Sequence, residues 1–238
     1  VALAVNEKHG IWYNPMTGKY HEATIGDKGI QLNLKSGESR ILITSNKPVN
    51  EWKLGSKVKV GGKEAIAAAD SKTIDLTENA WKLSFTEDAP KVGETFNLKG
   101  VKSWEGLSEK AKMMMGTGVY ETTIKLSKDD AKKQWTIDLG DVRESARVYI
   151  NNKYVGCAWA VPYILNCKDA LNKGKNTLRI EVTNLPANRI AELDRQGVKW
   201  RKMKEINVVD INYKKTTYEN WTPMPSGLNS TVKLVEIK

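Results

Sequence analysis

The chain has 238 residues, 40% of them apolar, and its 38 basic and 28 acidic side chains give a formal charge of +10. That is enough apolar content to bury one large core or two small ones, while no run approaches the ~18 apolar residues of a membrane-spanning helix. The basic residues are scattered, and even their densest cluster, Lys199-Trp200-Arg201-Lys202-Met203-Lys204, carries no nucleic-acid motif; the excess reads as a solvated lysine-rich surface, and nucleic acid is set aside as a partner.

Val1 to Val5 is too short for the apolar core of a secretory signal, and the lack of an initiator methionine is what a piece of a longer protein would show. Residues 1–48 read as a small β segment. Gly10-Ile11-Trp12-Tyr13 runs into Asn14-Pro15-Met16-Thr17-Gly18, a Pro–Gly turn. Gly29 to Leu34 and Arg40 to Thr44 flank Lys35-Ser36-Gly37-Glu38-Ser39, which predicts a hairpin between them. So short a segment has little core of its own and is expected to pack on the domain that follows. Residues 49–78, with Gly55, Gly61-Gly62 and the run Ala65 to Ala69, read as a linker or a decorated hairpin, Lys57 to Val60 being one strand.

From residue 79 to the end the pattern is that of an all-β, antiparallel β-sandwich. Ala80 to Phe85, Val119 to Ile124, Trp135 to Leu139, Ala146 to Ile150 and Thr177 to Val182 alternate apolar and polar residues, as half-buried strands do. Gly140-Asp141, Asn151-Asn152-Lys153 and Asn172 to Asn176 mark turns between strands, and Asn151-Asn152 tolerates the positive φ of a tight hairpin. Ser108 to Lys112 reads as a helical turn, Met113 to Met115 as core filler, and Trp81 and Trp135 as core. Cys157 and Cys167 fall on neighbouring predicted strands; a disulfide needs Cα atoms about 5.5 Å apart, and the pair is read here as free thiols. Arg189 to Asn207 is either a short helix, with Ile190, Leu193 and Val198 roughly on one face, or an irregular loop over one end of the sandwich. Thr231 to Ile237 closes the sheet.

The string Leu139-Gly140-x-Val142, Ala146-x-Val148-x-Ile150-Asn151, Val155-Gly156-x-x-Trp159-x-x-Pro162-Tyr163, Gly174-x-Asn176-x-Leu178-x-Ile180-x-Val182-x-Asn184 resembles the galactose-binding-like jelly roll carried by many glycoside hydrolases. Asn188-Arg189-Ile190, Leu193-Asp194-Arg195 and Ser226-Gly227-Leu228 narrow the resemblance to the C-terminal module of bacterial α-L-rhamnosidase-type glycoside hydrolases. Trp12 to Gly18 and Ser36 to Ser39 look like the β-domain that precedes that module. The resemblance implies a jelly-roll sandwich over 79–238 and a plant-type polysaccharide or oligosaccharide as partner. It also implies an upstream catalytic domain carrying the catalytic carboxylates on a separate barrel, and a periplasmic or extracellular location. Met113 to Met115 depart from the polar turn usual in the family. Many relatives hold a structural calcium; Asp138, Asp141 and Glu144 lie close in sequence but without the spacing of a calcium loop, so no cofactor is expected, no metal-ligand residues are assigned, and a structural calcium stays open.

The residues themselves point away from catalysis within this chain. Glycoside hydrolysis needs two carboxylates about 5–10 Å apart, a test without power among 28 acidic residues. No phosphate loop, zinc motif or nucleophile elbow occurs, and His9 and His21 lie far in sequence from any nucleophile partner. Sugar binding asks for less: a flat aromatic against the apolar face of a pyranose, with Asn, Asp and Arg bonding its hydroxyls. In jelly rolls of this type the ligand usually sits in loops at one end, which makes Trp159, Tyr163, Asn188, Arg189, Asp194, Arg195, Trp200 and Trp221 the candidates. Two readings stay open. Trp159 and Pro162 either meet ligand or fold their loop on the core, and Asn188 to Arg195 either meet ligand or pin the long loop as a charged network. Trp200 and Trp221, unclaimed by strand periodicity, are favoured as the exposed platform. At the scale of the module the choice is between a non-catalytic carbohydrate binder and a structural brace for a catalytic barrel.

Overall fold

The computed structural model of the chain describes residues 6–27, 29–30, 32, 34–52, 60–61, 71–202, 212, 214 and 216–237. Two compact units make it up, Val1–Asp70 with Ile237–Lys238, and Ser71–Glu236.

The first unit contains β1 (His9–Asn14), β2 (Lys19–Ala23), β3 (Ile25–Gly26), β4 (Gly29–Ile30), β5 (Ile41–Ser45) and β6 (Val60–Gly61), with a sheet in the order β5-β1-β2-β6. Asn14 makes the β1–β2 turn. Its carbonyl accepts the Gly18 N–H at 2.9 Å and its side-chain oxygen accepts those of Met16 and Thr17, while Gly18 takes the left-handed backbone. Ile11, Ala23 and Ile30 are buried. The hairpin expected between Gly29–Leu34 and Arg40–Thr44 is not what forms. β4 turns back at once on β3, with Ile25 opposite Ile30, and β5 pairs with β1, with Ile11 opposite Ile43. The glycines at 26 and 29 allow the shorter turn, and the open edge of β1 then takes β5. Of the strand read over Lys57–Val60 only Val60 is described, at the start of β6; the Ala65–Ala69 run lies outside the described residues.

The second unit is the β-sandwich. Its elements are β7 (Thr73–Asp75), β8 (Ala80–Ala89), β9 (Phe96–Lys99), α1 (Glu109–Met113), β10 (Met115–Leu126), β11 (Gln134–Asp138), β12 (Val142–Arg143), β13 (Ser145–Ile150), β14 (Lys153–Ala158), β15 (Ile164–Asn166), β16 (Gly174–Thr183), α2 (Ala187–Arg195), β17 (Gly227–Leu228) and β18 (Lys233–Ile237). A six-stranded sheet, β14-β13-β16-β10-β8-β9, faces a four-stranded one, β15-β11-β18-β7, and β12 pairs with β17 at one end. The period of two sends Tyr120, Ile124, Val148, Ile150, Leu178 and Ile180 inward from the first sheet, to meet Trp135, Ile137 and Leu234 from the second.

The three buried tryptophans each find an acceptor for the indole N–H: Trp81 on the Leu76 carbonyl, Trp135 on that of Asp130 and Trp104 on the Tyr120 hydroxyl. Asn176, the one polar residue on the inward face of β16, is fully enclosed. Its amide donates to the Asn172 and Gly174 carbonyls, and its oxygen accepts from Asn151 Nδ2 and the Asn172 N–H. That explains the Gly-x-Asn signature of this strand as a turn lock. Asn151 and Asn152 take positive φ in the β13–β14 turn. Of the three consecutive methionines only Met114 is fully buried, and Met115 is exposed.

Candidate functional site

The strand order brings one set of loops to the same end of the sandwich. β16 runs into α2, β14 runs into the segment 159–163, and β10 starts from α1. Polar side chains stitch this end together. Ser108 caps α1 by accepting the Ala111 N–H. Asn184 accepts the Gly116 N–H and donates to the Met114 carbonyl and Ser226 Oγ. The Tyr120 hydroxyl accepts from Trp104 Nε1 and from the Leu228 N–H; burial pushes that phenol well above its ordinary pKa, so it stays a neutral partner.

Six of the eight candidate residues lie on or against α2. Asn188, buried on its first turn, clamps Met224 with two bonds, donating to its carbonyl and accepting its N–H, both at 2.8 Å. Asp194 accepts the Trp200 indole N–H at 2.7 Å and the Tyr218 N–H at 2.8 Å. Arg195 donates to the carbonyls of Glu219 and Trp221 at 2.8 and 2.9 Å, and to Glu192 at 3.0 Å. The helix thus holds the segment 218–224 by its polar groups, the pinning arrangement that the residue types allowed. The product of that pinning is an aromatic surface. Trp221, 47% exposed, lies 4.4 Å from the Tyr218 ring, and Tyr218 lies 6.4 Å from Trp200. The Arg201 guanidinium sits 5.1 Å from both Trp200 and Tyr218. Beside it, a concavity of about 310 Å³ is lined by Glu109, Lys112, Met113, Asn188, Glu192, Arg195 and Pro223, at the small end of ligand-sized clefts. Arg189 is half-buried on the same helix.

Trp159 and Tyr163 belong elsewhere, and each differs from its simplest reading. Trp159 does not fold onto the core but is 61% exposed, with Val161 exposed beside it. Tyr163 is only 8% exposed, so it does not present its ring to a ligand. Its carbonyl accepts the Leu139 N–H, and burial and nearby Glu144 push its phenol pKa up. A bulky ring after the Val161–Pro162 bond anchors the loop, and the anchored loop lifts Trp159 outward. Two of the three carboxylates weighed for calcium are otherwise engaged: Asp141 holds Arg143 through both oxygens, and Asp138 accepts the Gly140 N–H and faces Lys233. Among the described residues no group of three His, Cys, Asp or Glu could hold a metal, so this donor set does not fit the ion. Cys157 and Cys167 are free thiols.

Sequence reasoning missed Tyr218, Arg201, Glu192 and the α1 residues Glu109 and Lys112. Only the spacing Tyr218-x-x-Trp221, two aromatics in a stretch without strand periodicity, signalled any of them.

The molecule is thus a β-sandwich module with a polar-stitched loop end, an exposed tryptophan and a cleft. Residues 108–227, just over half of the chain, match the glycosyl hydrolase 2 galactose-binding domain-like family, and the chain belongs to that family. A putative beta-glucuronidase of Formosa agariphila is 27% identical over 234 residues, covering 87% of this chain and 20% of that protein. The rhamnosidase from Novosphingobium sp. PP1Y superposes with a TM-score of 0.68 at 25% identity, covering 98% of this chain and 21% of that one. The beta-D-glucuronidase of Dictyoglomus thermophilum shares the fold, with a TM-score of 0.50 at 15% identity over 73% of this chain and 29% of that one. The chain thus spans about a fifth of the length of the curated relative. The resemblance read from Leu139–Asn184 to a glycoside-hydrolase jelly roll is borne out.

Proposed function

We propose that this chain is a non-catalytic carbohydrate-binding-like module, the C-terminal part of a larger glycoside hydrolase that degrades polysaccharide in the periplasm or outside the cell. The observation that carries the reading is the exposed Trp221 ring beside Tyr218, next to a cleft lined by Asn188, Glu192 and Arg195. An indole face against the C–H face of a pyranose, with amide, carboxylate and guanidinium within the adjoining cleft, is the chemistry sugar recognition uses. Calorimetric titration with rhamnose, galactose and pectin-type oligosaccharides, repeated on Trp221→Ala, tests it. Saturable heat that vanishes in the variant is expected; heat unchanged by the variant would remove the platform from this end.

A second reading has its own support. Asn188, Asp194 and Arg195 commit their polar groups to the chain itself, and Trp159, Val161, Leu185 and Met224 leave apolar surface exposed, as a domain that braces a catalytic barrel would. In that case no glycan binds. Trp159→Ser would instead loosen the association of this chain with the catalytic part of the same enzyme, measured by co-purification.

A further inference from the structure

The outer face of the six-stranded sheet carries a second concavity, of about 640 Å³. It lies towards the end of the strands opposite α2: Asn152 sits in the β13–β14 turn and Thr177 near the start of β16, whereas α2 follows the end of that strand. One register row crosses five strands along it. Tyr149 stands opposite Arg179, Arg179 opposite Glu121, Glu121 opposite Lys82, and Lys82 opposite Asn97. Their inward neighbours Val148, Ile150, Ile180, Leu178, Tyr120, Leu83 and Trp81 are buried, so the period of two turns this row outward. At the spacing of neighbouring strands the row is about 19 Å long.

Its chemistry is polar, with the charges matched. Arg179 Nη1 bonds Glu181 at 2.8 Å, and Lys82 faces Glu121 at 3.9 Å, so neither cation stands uncompensated as a phosphate or polyanion site would need. Asn97, Asn152 and Thr123 add amides and a hydroxyl, each both donor and acceptor. The Arg179 guanidinium lies 4.1 Å over the Tyr149 ring, and Tyr149 is itself 5.4 Å from the exposed Tyr154. Arg179 Nε is buried without a hydrogen-bond partner. A buried orphan donor has a cost, and stacking on Tyr149 offsets it while fixing the plane of the guanidinium. The result is a rigid wall at one end of a long, neutral, hydroxyl-matching groove.

We propose that this groove is a saccharide site, separate from the loop end, that takes a short linear oligosaccharide of uncharged pyranoses along the register row. Tyr149 and Arg179 form the wall against which one sugar ring packs; Lys82, Glu121 and Asn97 bond hydroxyls along the floor. It shares with the proposed function the assumption that the module meets carbohydrate, but none of its residues belongs to the loop-end site. The test is a glycan array of neutral, uronate and sulfated oligosaccharides probed with the labelled 238-residue chain. Calorimetry follows with galactotetraose, tetragalacturonate and any other neutral tetrasaccharide that binds on the array. Three variants are compared: Arg179→Ala, Thr123→Trp, which fills the groove without touching the core, and Trp221→Ala. Binding of a neutral tetrasaccharide that weakens by about tenfold or more in the first two, and persists in Trp221→Ala, is the expected result. Loss only in Trp221→Ala would overturn the groove and leave the loop-end reading standing. Binding confined to uronate or sulfated glycans would overturn the uncharged ligand. No glycan bound at all would overturn this proposal and the carbohydrate reading together.

Discussion

At φ +88°, Gly227 occupies backbone space that residues with a side chain avoid, and a Cβ there would run into the Trp104 indole nitrogen and the Tyr120 hydroxyl. The indole N–H donates to the hydroxyl at 2.7 Å and the hydroxyl also accepts the Leu228 N–H, so Gly227→Ala would break the joint that closes the loop end. A loss of about 3 kcal/mol is expected from strain plus overpacking, measured as the urea midpoint; a loss under about 1 kcal/mol would mean the Trp104–Tyr120 pair can move aside. The cysteines allow a second test. Burial pushes the Cys167 thiol from 9.0 up to about 12, whereas Cys157 is half-buried. A folded pKa raised above the unfolded one contributes stability that is whole below pH 9.0 and is lost as pH rises towards about 12. Chemical denaturation from pH 8 to 11 should therefore show falling stability, with a shallower fall in Cys167→Ala. Titration of the native protein with a disulfide reagent at pH 8 should find Cys157 alone, and both thiols after denaturation.

Helix α2 acts at its own scale as a clamp, and its residues differ in what their loss would do. Asp194→Ala removes the acceptor of both the Trp200 indole and the Tyr218 N–H. At a half-exposed site that costs about 1 kcal/mol, while freeing the segment 216–224; a red shift in tryptophan emission and faster proteolysis there are the signatures to measure. Asn176→Ala, by contrast, strips the buried lock of β16 from four bonds at once and should cost about 3 kcal/mol in thermal or urea unfolding. Both asparagines of the signature, 176 and 184, were visible in the sequence, and alternation located the strands around them. Nothing in the residues' order said that Asn184 would bond Met114 and Ser226, positions far apart in the chain. The helix-or-loop alternative at Arg189 resolves into nine residues of helix followed by irregular chain over 196–202, because Leu193 and Ile190 find partial cover and Val198 does not; residues 203–207 lie outside the described residues.

The unit Ser71–Glu236 holds a continuous core built from both of its sheets. Expressed alone it should melt in one cooperative transition by calorimetry, and Trp135→Ala, at the centre of the four-stranded sheet, should lower that transition by about 3–5 kcal/mol. A broad, non-cooperative melt would mean the sandwich depends on residues outside these bounds. Acid should act on the same unit. The Lys72 bond and the Ser127 bond hold the Asp130 carboxyl below its usual range, so this contribution is complete above pH 3.8 and is lost as pH falls below it.

The sequence by itself determined the sandwich, the inward face of each long strand, the tight Asn151–Asn152 turn and the family signature, because a period of two and the backbone demands of a turn are local properties. Only the tertiary structure decided which strands become neighbours. Alternation tells which side of a strand is apolar and leaves open which edge will receive it, so β5 went to β1 rather than to β4. The same holds for the aromatic residues. Whether Trp159, Tyr163 or Trp221 faces water depends on how a loop is held by residues distant in the chain. The row from Tyr149 to Asn97 exists only once five strands have taken their register.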